Sequence, residues 1–127
     1  MFTILIVDDE APVRKMLRSM LNADNVELLE ATNGNEALKV INESDIDLLI
    51  TDIVMPEKHG IDLIMEIKKS SAKLPVIAIS GGGGITGRFD YLEIAKVIGA
   101  ENILKKPFTA DTLRGLVNEY IAKKSVK

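Results

Sequence analysis

The chain has 127 residues, 46% hydrophobic and 28% charged, with a net charge of −3, the balance of one folded domain rather than a disordered segment. That weakly acidic balance gives no electrostatic reason to expect nucleic acid as a direct partner. There is no cysteine, which excludes disulfides, thiolate chemistry and cysteine-ligated metals and fits a reducing cytoplasm. No apolar run approaches the roughly 18 residues of a membrane span.

Phe2 to Val7 is almost continuously apolar and reads as a strand covered on both faces. It stops at Asp8-Asp9. Pro12 then suits a first helical turn, and Val13, Met16, Leu17, Met20 and Leu21 follow at helical spacing. Val26 to Ala31 reads as a second strand. Asn33 with Glu36 three residues on predicts a capping box, opening a helix through Ala37, Leu38 and Ile41.

Residues 46–51 form the third predicted strand, which stops at Asp52. Met55-Pro56 and Gly60 break the chain before a helix marked by Ile61, Ile64 and Ile67. Residues 75–79 predict the fourth strand, followed by Ser80 and four glycines. A helix around residues 90–98 ends at Gly99, a left-handed C-cap. Asn102 to Lys105 is the fifth strand, which stops at Lys106-Pro107. Thr109 caps a last helix carrying Leu113, Leu116, Val117, Tyr120 and Ile121, and residues 123–127 are expected to fray.

Strands alternating with helix-length segments imply parallel βαβ units in one α/β domain, with no repeat or linker. Ligands of open α/β sheets bind outside the carboxyl ends of the strands. Asp8-Asp9, Asp52, Ser80 and Lys106 all stand at such ends. Three carboxylates suit a hard divalent cation, and a hydroxyl and an ammonium suit a phosphoryl group beside it. The expected site therefore handles phosphate.

In order and on those strand ends, Asp8-Asp9, Asp52, Met55-Pro56, Gly60, Ser80 and Lys106-Pro107-Phe108 make a pattern that resembles the receiver domain of bacterial two-component response regulators. The resemblance spans essentially the whole chain. It implies a flavodoxin-like, doubly wound five-stranded parallel sheet of order 2-1-3-4-5 with five helices, its switch point between strands one and three. It also implies that residues 1–127 are a single receiver domain, with no output domain after the last helix.

The resemblance makes Asp52 the phosphoacceptor, since an ionised carboxylate can attack phosphorus to give an acyl phosphate. It makes Asp8 and Asp9 ligands of Mg²⁺, Asp9 directly and Asp8 partly through water, with Asp52 and the Val54 main-chain carbonyl completing the protein's share. Mg²⁺ needs only one or two carboxylates beside phosphate oxygens, so this sparse set suffices. Lys106 would pair with a phosphoryl oxygen across a cis Lys106-Pro107 bond, and the Ser80 hydroxyl would donate to the same group. Ile103 stands where relatives carry a switch aromatic, so phosphorylation is expected to act instead through residues 81–87 on the helix after them. The implied partners are a histidine kinase or histidine phosphotransfer protein, a downstream protein target, and a second copy docking through the helix around residues 90–98, the fifth strand and the last helix. Neither membrane nor nucleic acid is expected to bind.

Each residue also has a plainer reading. An aspartate after a strand is commonly a turn or cap residue, and Glu10 and Lys105 read as solvated. His59, the only histidine, reads as an exposed loop residue. Residues 81–87 lack the Gly-Lys-Ser/Thr ending of a phosphate loop. Two other functions compete. A degenerate receiver acting as a phosphorylation-independent scaffold should lack an acidic or lysine site residue, and none is missing. An aspartate-based phosphohydrolase should carry a second acid two residues after its nucleophile, where this chain has Val54.

Overall fold

A computed structural model of the chain describes residues 1–53, 60–70, 73–80 and 98–125. Five parallel strands form one sheet of order 2-1-3-4-5: β1 (Phe2–Val7), β2 (Val26–Ala31), β3 (Leu48–Asp52), β4 (Val76–Ser80) and β5 (Asn102–Lys105). Four helices are described: α1 (Ala11–Leu21), α2 (Gly34–Glu43), α3 (Gly60–Ser70) and α4 (Ala110–Ser125). The helix expected around residues 90–98 lies outside the described residues except for its helical last residue, Ile98.

Period-two alternation divides the apolar side chains between two faces of the sheet. Phe2, Ile4, Ile6, Leu48, Ile50, Ile77, Ile79 and Leu104 meet Leu17 and Leu21 of α1 and Leu113 and Val117 of α4. Leu5, Val7, Leu49, Val76 and Ala78 meet Ala37 of α2 and Leu63, Ile64 and Ile67 of α3. Strands covered on both faces are nearly continuously apolar, and β1 is buried throughout, with Thr3 its one polar residue. Among the described residues, no helix is long and apolar enough to cross a membrane.

Caps end the helices much as expected, with local differences. Asn33 Oδ1 accepts from the Glu36 N–H at 2.9 Å, but the Glu36 carboxylate reaches Thr32 N–H and Oγ1, one residue before the box. Thr109 Oγ1 accepts from Thr112 N–H at 3.1 Å. Gly99 has φ +131°, positive but wider than the left-handed helical value, and a Cβ there would lie 2.7 Å from the Lys68 stem. The third strand starts at Leu48 rather than 46, because Asp47 closes the edge of β1. Its N–H donates to Thr3 O at 2.8 Å, and its Oδ2 accepts from Thr3 N–H at 2.8 Å. The last helix runs on through Ser125 instead of fraying at 123, with Lys124 Nζ 2.6 Å from Asp47 Oδ1.

Candidate functional site

The carboxyl ends of β1 and β3 are neighbours in the sheet, with Val7 opposite Thr51. Each therefore delivers its next polar residues to the same edge. Asp8 continues β1 by donating its N–H to Ala31 O at 3.2 Å, then turns the chain by accepting the Glu10 N–H on Oδ1 at 2.8 Å. That turn starts α1 and leaves Asp8 buried but Asp9 exposed. Asp52, the last residue of β3, accepts the Ile53 N–H on Oδ1 at 2.9 Å. Carboxylate oxygens of Asp8, Asp9 and Asp52 all lie within 4.8 Å of one another. Three hard oxygen donors at that spacing fit a divalent cation such as Mg²⁺.

Two contacts hold the main chain under Asp52. Thr51, fully buried, donates its hydroxyl to Asp52 O at 2.8 Å. The Gly60 N–H donates to Ile53 O at 2.8 Å. A Cβ at Gly60 would stand 2.3 Å from Asp52 O and 2.6 Å from Ile53 Cα, so only glycine lets α3 begin this close to the end of β3.

Lys106 follows β5 and reaches the site from the far side, with Nζ 4.0 Å from Asp8 Oδ2, the outer limit of an ion pair. The Lys106-Pro107 bond is cis. Lys105, opposite Ser80 in the register, is exposed. Ile103 pairs with Ala78 and packs partly buried on the α2–α3 side of the sheet.

Burial pushes the Asp52 carboxyl up to about 6; the Asp8 charge adds to the rise, and Lys106 and the Ile53 N–H oppose it. Burial also raises Asp8, against the Glu10 N–H and Lys106. Burial disfavours the charged form of a carboxyl, and a neighbouring carboxylate adds to that cost.

The structure thus brings Asp8, Asp9, Asp52 and Lys106 together. Val54, the Met55-Pro56 break, His59 and residues 81–87 lie outside the described residues, as does the Ser80 hydroxyl, although its main chain ends β4. Sequence reasoning missed Arg14, whose Nη1 donates to Asp8 O at 2.7 Å. A signal for it was present. Arg14 lines up with Leu17 and Leu21 on the buried stripe of α1, and a cation on such a stripe needs a polar partner.

A family model described as response regulator receiver domain matches residues 4–118. Sporulation initiation phosphotransferase F of Bacillus subtilis is 30% identical over 122 residues, covering 96% of this chain and 95% of that protein. A response regulator receiver domain protein from Clostridium thermocellum has a similar structure, with a TM-score of 0.86, 34% identity, and coverage of 99% and 98% of the two chains. The response regulator protein TrrA from Thermotoga maritima, in complex with Mg²⁺-BeF, gives a TM-score of 0.80 at 30% identity, covering 94% of this chain and 99% of that one. Several curated relatives are longer, and the chain spans 46% of one and 14% of another.

Proposed function

This chain belongs to the response regulator receiver domain family, and from that premise we propose that Asp52 accepts a phosphoryl group from a phosphohistidine and so switches a protein-binding surface. The observation that carries the reading is the meeting of the Asp8, Asp9 and Asp52 carboxylates within 4.8 Å, with the Lys106 ammonium beside Asp8. In this reading an Asp52 oxygen attacks phosphorus, the P–N bond of the donor breaks, and an acyl phosphate forms. Asp52 ends a central strand and is tied to the Ile53 N–H, so its carboxylate is oriented before a donor arrives.

Asp9 and Asp8 are the residues we assign to Mg²⁺, Asp9 directly and Asp8 partly through water. The fit rests on their hard oxygens, which meet those of Asp52 within 4.8 Å. A bound Mg²⁺ would neutralise charge developing on the phosphoryl oxygens. Lys106 is assigned to one of those oxygens. The Ser80 hydroxyl and the Val54 carbonyl are assigned from family resemblance alone. The donor is a histidine kinase or phosphotransfer protein in the cytoplasm, a reading supported by the likeness to a phosphotransferase of nearly equal length. Residues 1–127 are read as one receiver domain, in keeping with a single five-stranded sheet.

Acetyl phosphate and Mg²⁺ should give a labile mass adduct on the chain, absent from Asp52→Asn and suppressed by EDTA. Equal labelling of that variant, or indifference to EDTA, contradicts the assignment. Magnesium titrations separate two further roles. Asp9→Ala should bind Mg²⁺ more weakly, because a hard cation loses a charged ligand. Lys106→Ala should bind it as well or better, because a nearby positive charge is gone. Equal losses in the two variants would undo the division of labour.

A further inference from the structure

We propose that Arg14 is a positioning residue for the acidic site, orienting Asp9 toward a bound cation by holding the main-chain carbonyl of Asp8. The inference rests on the Mg²⁺ reading above. Arg14 uses its guanidinium in two directions at once. Nη1 donates to Asp8 O at 2.7 Å, and Nε donates to Glu30 Oε1 at 3.0 Å. The side chain is only 15% exposed, so little water competes for either bond. Glu30 is itself held, because its other oxygen takes Arg18 Nη1 at 2.9 Å and its main chain lies on β2 opposite Ile6. The guanidinium is anchored to a strand at one end and grips the β1–α1 turn at the other.

The group it grips is the peptide joining Asp8 to Asp9. The carbonyl of residue 8 and the N–H of residue 9 share one rigid plane, so fixing the first constrains where the Asp9 side chain starts. Asp8 has a support of its own, since its carboxylate accepts the Glu10 N–H. Asp9 is exposed, and among the described residues its carboxylate takes part in no hydrogen bond or ion pair. Its direction is inherited from the main chain, and Arg14 holds that main chain.

Charge alone argues the other way. A cation near a metal site should weaken metal binding, and Glu30 offsets only part of the Arg14 charge because it shares its one negative charge with Arg18. In this proposal the positional effect outweighs the remaining repulsion, and because the two have opposite signs a binding measurement separates them. Lysine cannot replace this residue, since a single ammonium lacks the planar fork that serves two acceptors.

The test is calorimetric titration of the full chain with magnesium chloride, with folding checked by circular dichroism and the Asp9 amide followed by NMR. Arg14→Met should weaken Mg²⁺ binding by about 10-fold, the usual loss when a group supporting a ligand is removed, and should shift the Asp9 amide resonance. Arg14→Lys should keep most of that loss. Glu30→Leu removes the acceptor that seats Arg14 Nε and should weaken binding more than Glu27→Leu, which removes the same charge from the same strand; that pair carries the test if Arg14→Met does not fold, and equal losses overturn the inference. Lys15→Met removes the same charge from an exposed site on α1 and should bind as wild type or slightly tighter. Folded Arg14→Met binding as tightly as wild type, or full affinity in Arg14→Lys, overturns the inference. Wild type that binds no Mg²⁺, or Asp9→Asn that binds it undiminished, overturns the cation reading and this inference with it.

Discussion

Asp52 is held in the folded chain as a weaker acid than in the unfolded one, with its carboxyl moved from 3.8 to about 6 by burial first and by Asp8 second. Between those two pH values the folded state binds the extra proton, so its stability falls as pH rises through the window and stays reduced above it. A full two-unit shift would correspond to roughly 3 kcal/mol. Asp52 is partly solvated, and screening reduces that to about 1 kcal/mol. Asp52→Asn should therefore be more stable than wild type by about 1 kcal/mol at pH 7 without Mg²⁺, and the advantage should vanish near pH 4. Urea denaturation at the two pH values measures both, and equal stabilities at pH 7 would show that the site carries no such penalty. The same residue shows what the chain reveals locally. An aspartate ending an apolar run is visible in the sequence. Its raised carboxyl is not, because it depends first on burial in the folded sheet and then on Asp8, 44 positions away in sequence.

Among the elements, α2 and α4 differ in how well their sequences suit a helix. The Asn33 cap satisfies the Glu36 N–H, one of the orphan donors of a helix start. α4 instead carries Gly115 in its interior, exposed, with open space where a side chain would be. Glycine there loses more backbone freedom on folding than alanine and fills nothing. Asn33→Ala should lower stability by about 1 kcal/mol, and Gly115→Ala should raise it by roughly 0.5–1 kcal/mol. Changes of the same sign in chemical denaturation would refute the comparison. Periodicity and caps made these helices readable, because both arise between residues within a turn of each other. Strand ends were less so. The start of β3 moved because Asp47 bonds Thr3 across the sheet, a partner its own neighbourhood does not announce.

At the scale of the whole molecule, the order 2-1-3-4-5 sets β1 beside β3 and so brings Asp52 against Asp8 and Asp9, a repulsion that the unfolded chain does not bear. A cation binding them binds the native state and not the unfolded one. Saturation at a hundred times the dissociation constant should then stabilise the fold by about 2.7 kcal/mol. Thermal melts should rise progressively with magnesium chloride, not with sodium chloride of equal ionic strength, and Asp9→Asn should lose most of the rise. A melt indifferent to Mg²⁺ would count against cation binding by these carboxylates.

The sequence by itself determined the alternation of strands and helices, the parallel α/β class, and the polar residues standing at the strand ends. These depend on apolar period, turn chemistry and caps, which act between near neighbours. Only the tertiary structure decided that Asp8 is buried while Asp9 is exposed, that Gly60 must approach the Asp52 carbonyl, and that Arg14 grips the turn carrying both acids. The helical stripe marks Arg14 as a cation in need of a partner, but which partner it finds, like the burial of Asp8 and the approach of Gly60, depends on how packing turns the segments against each other.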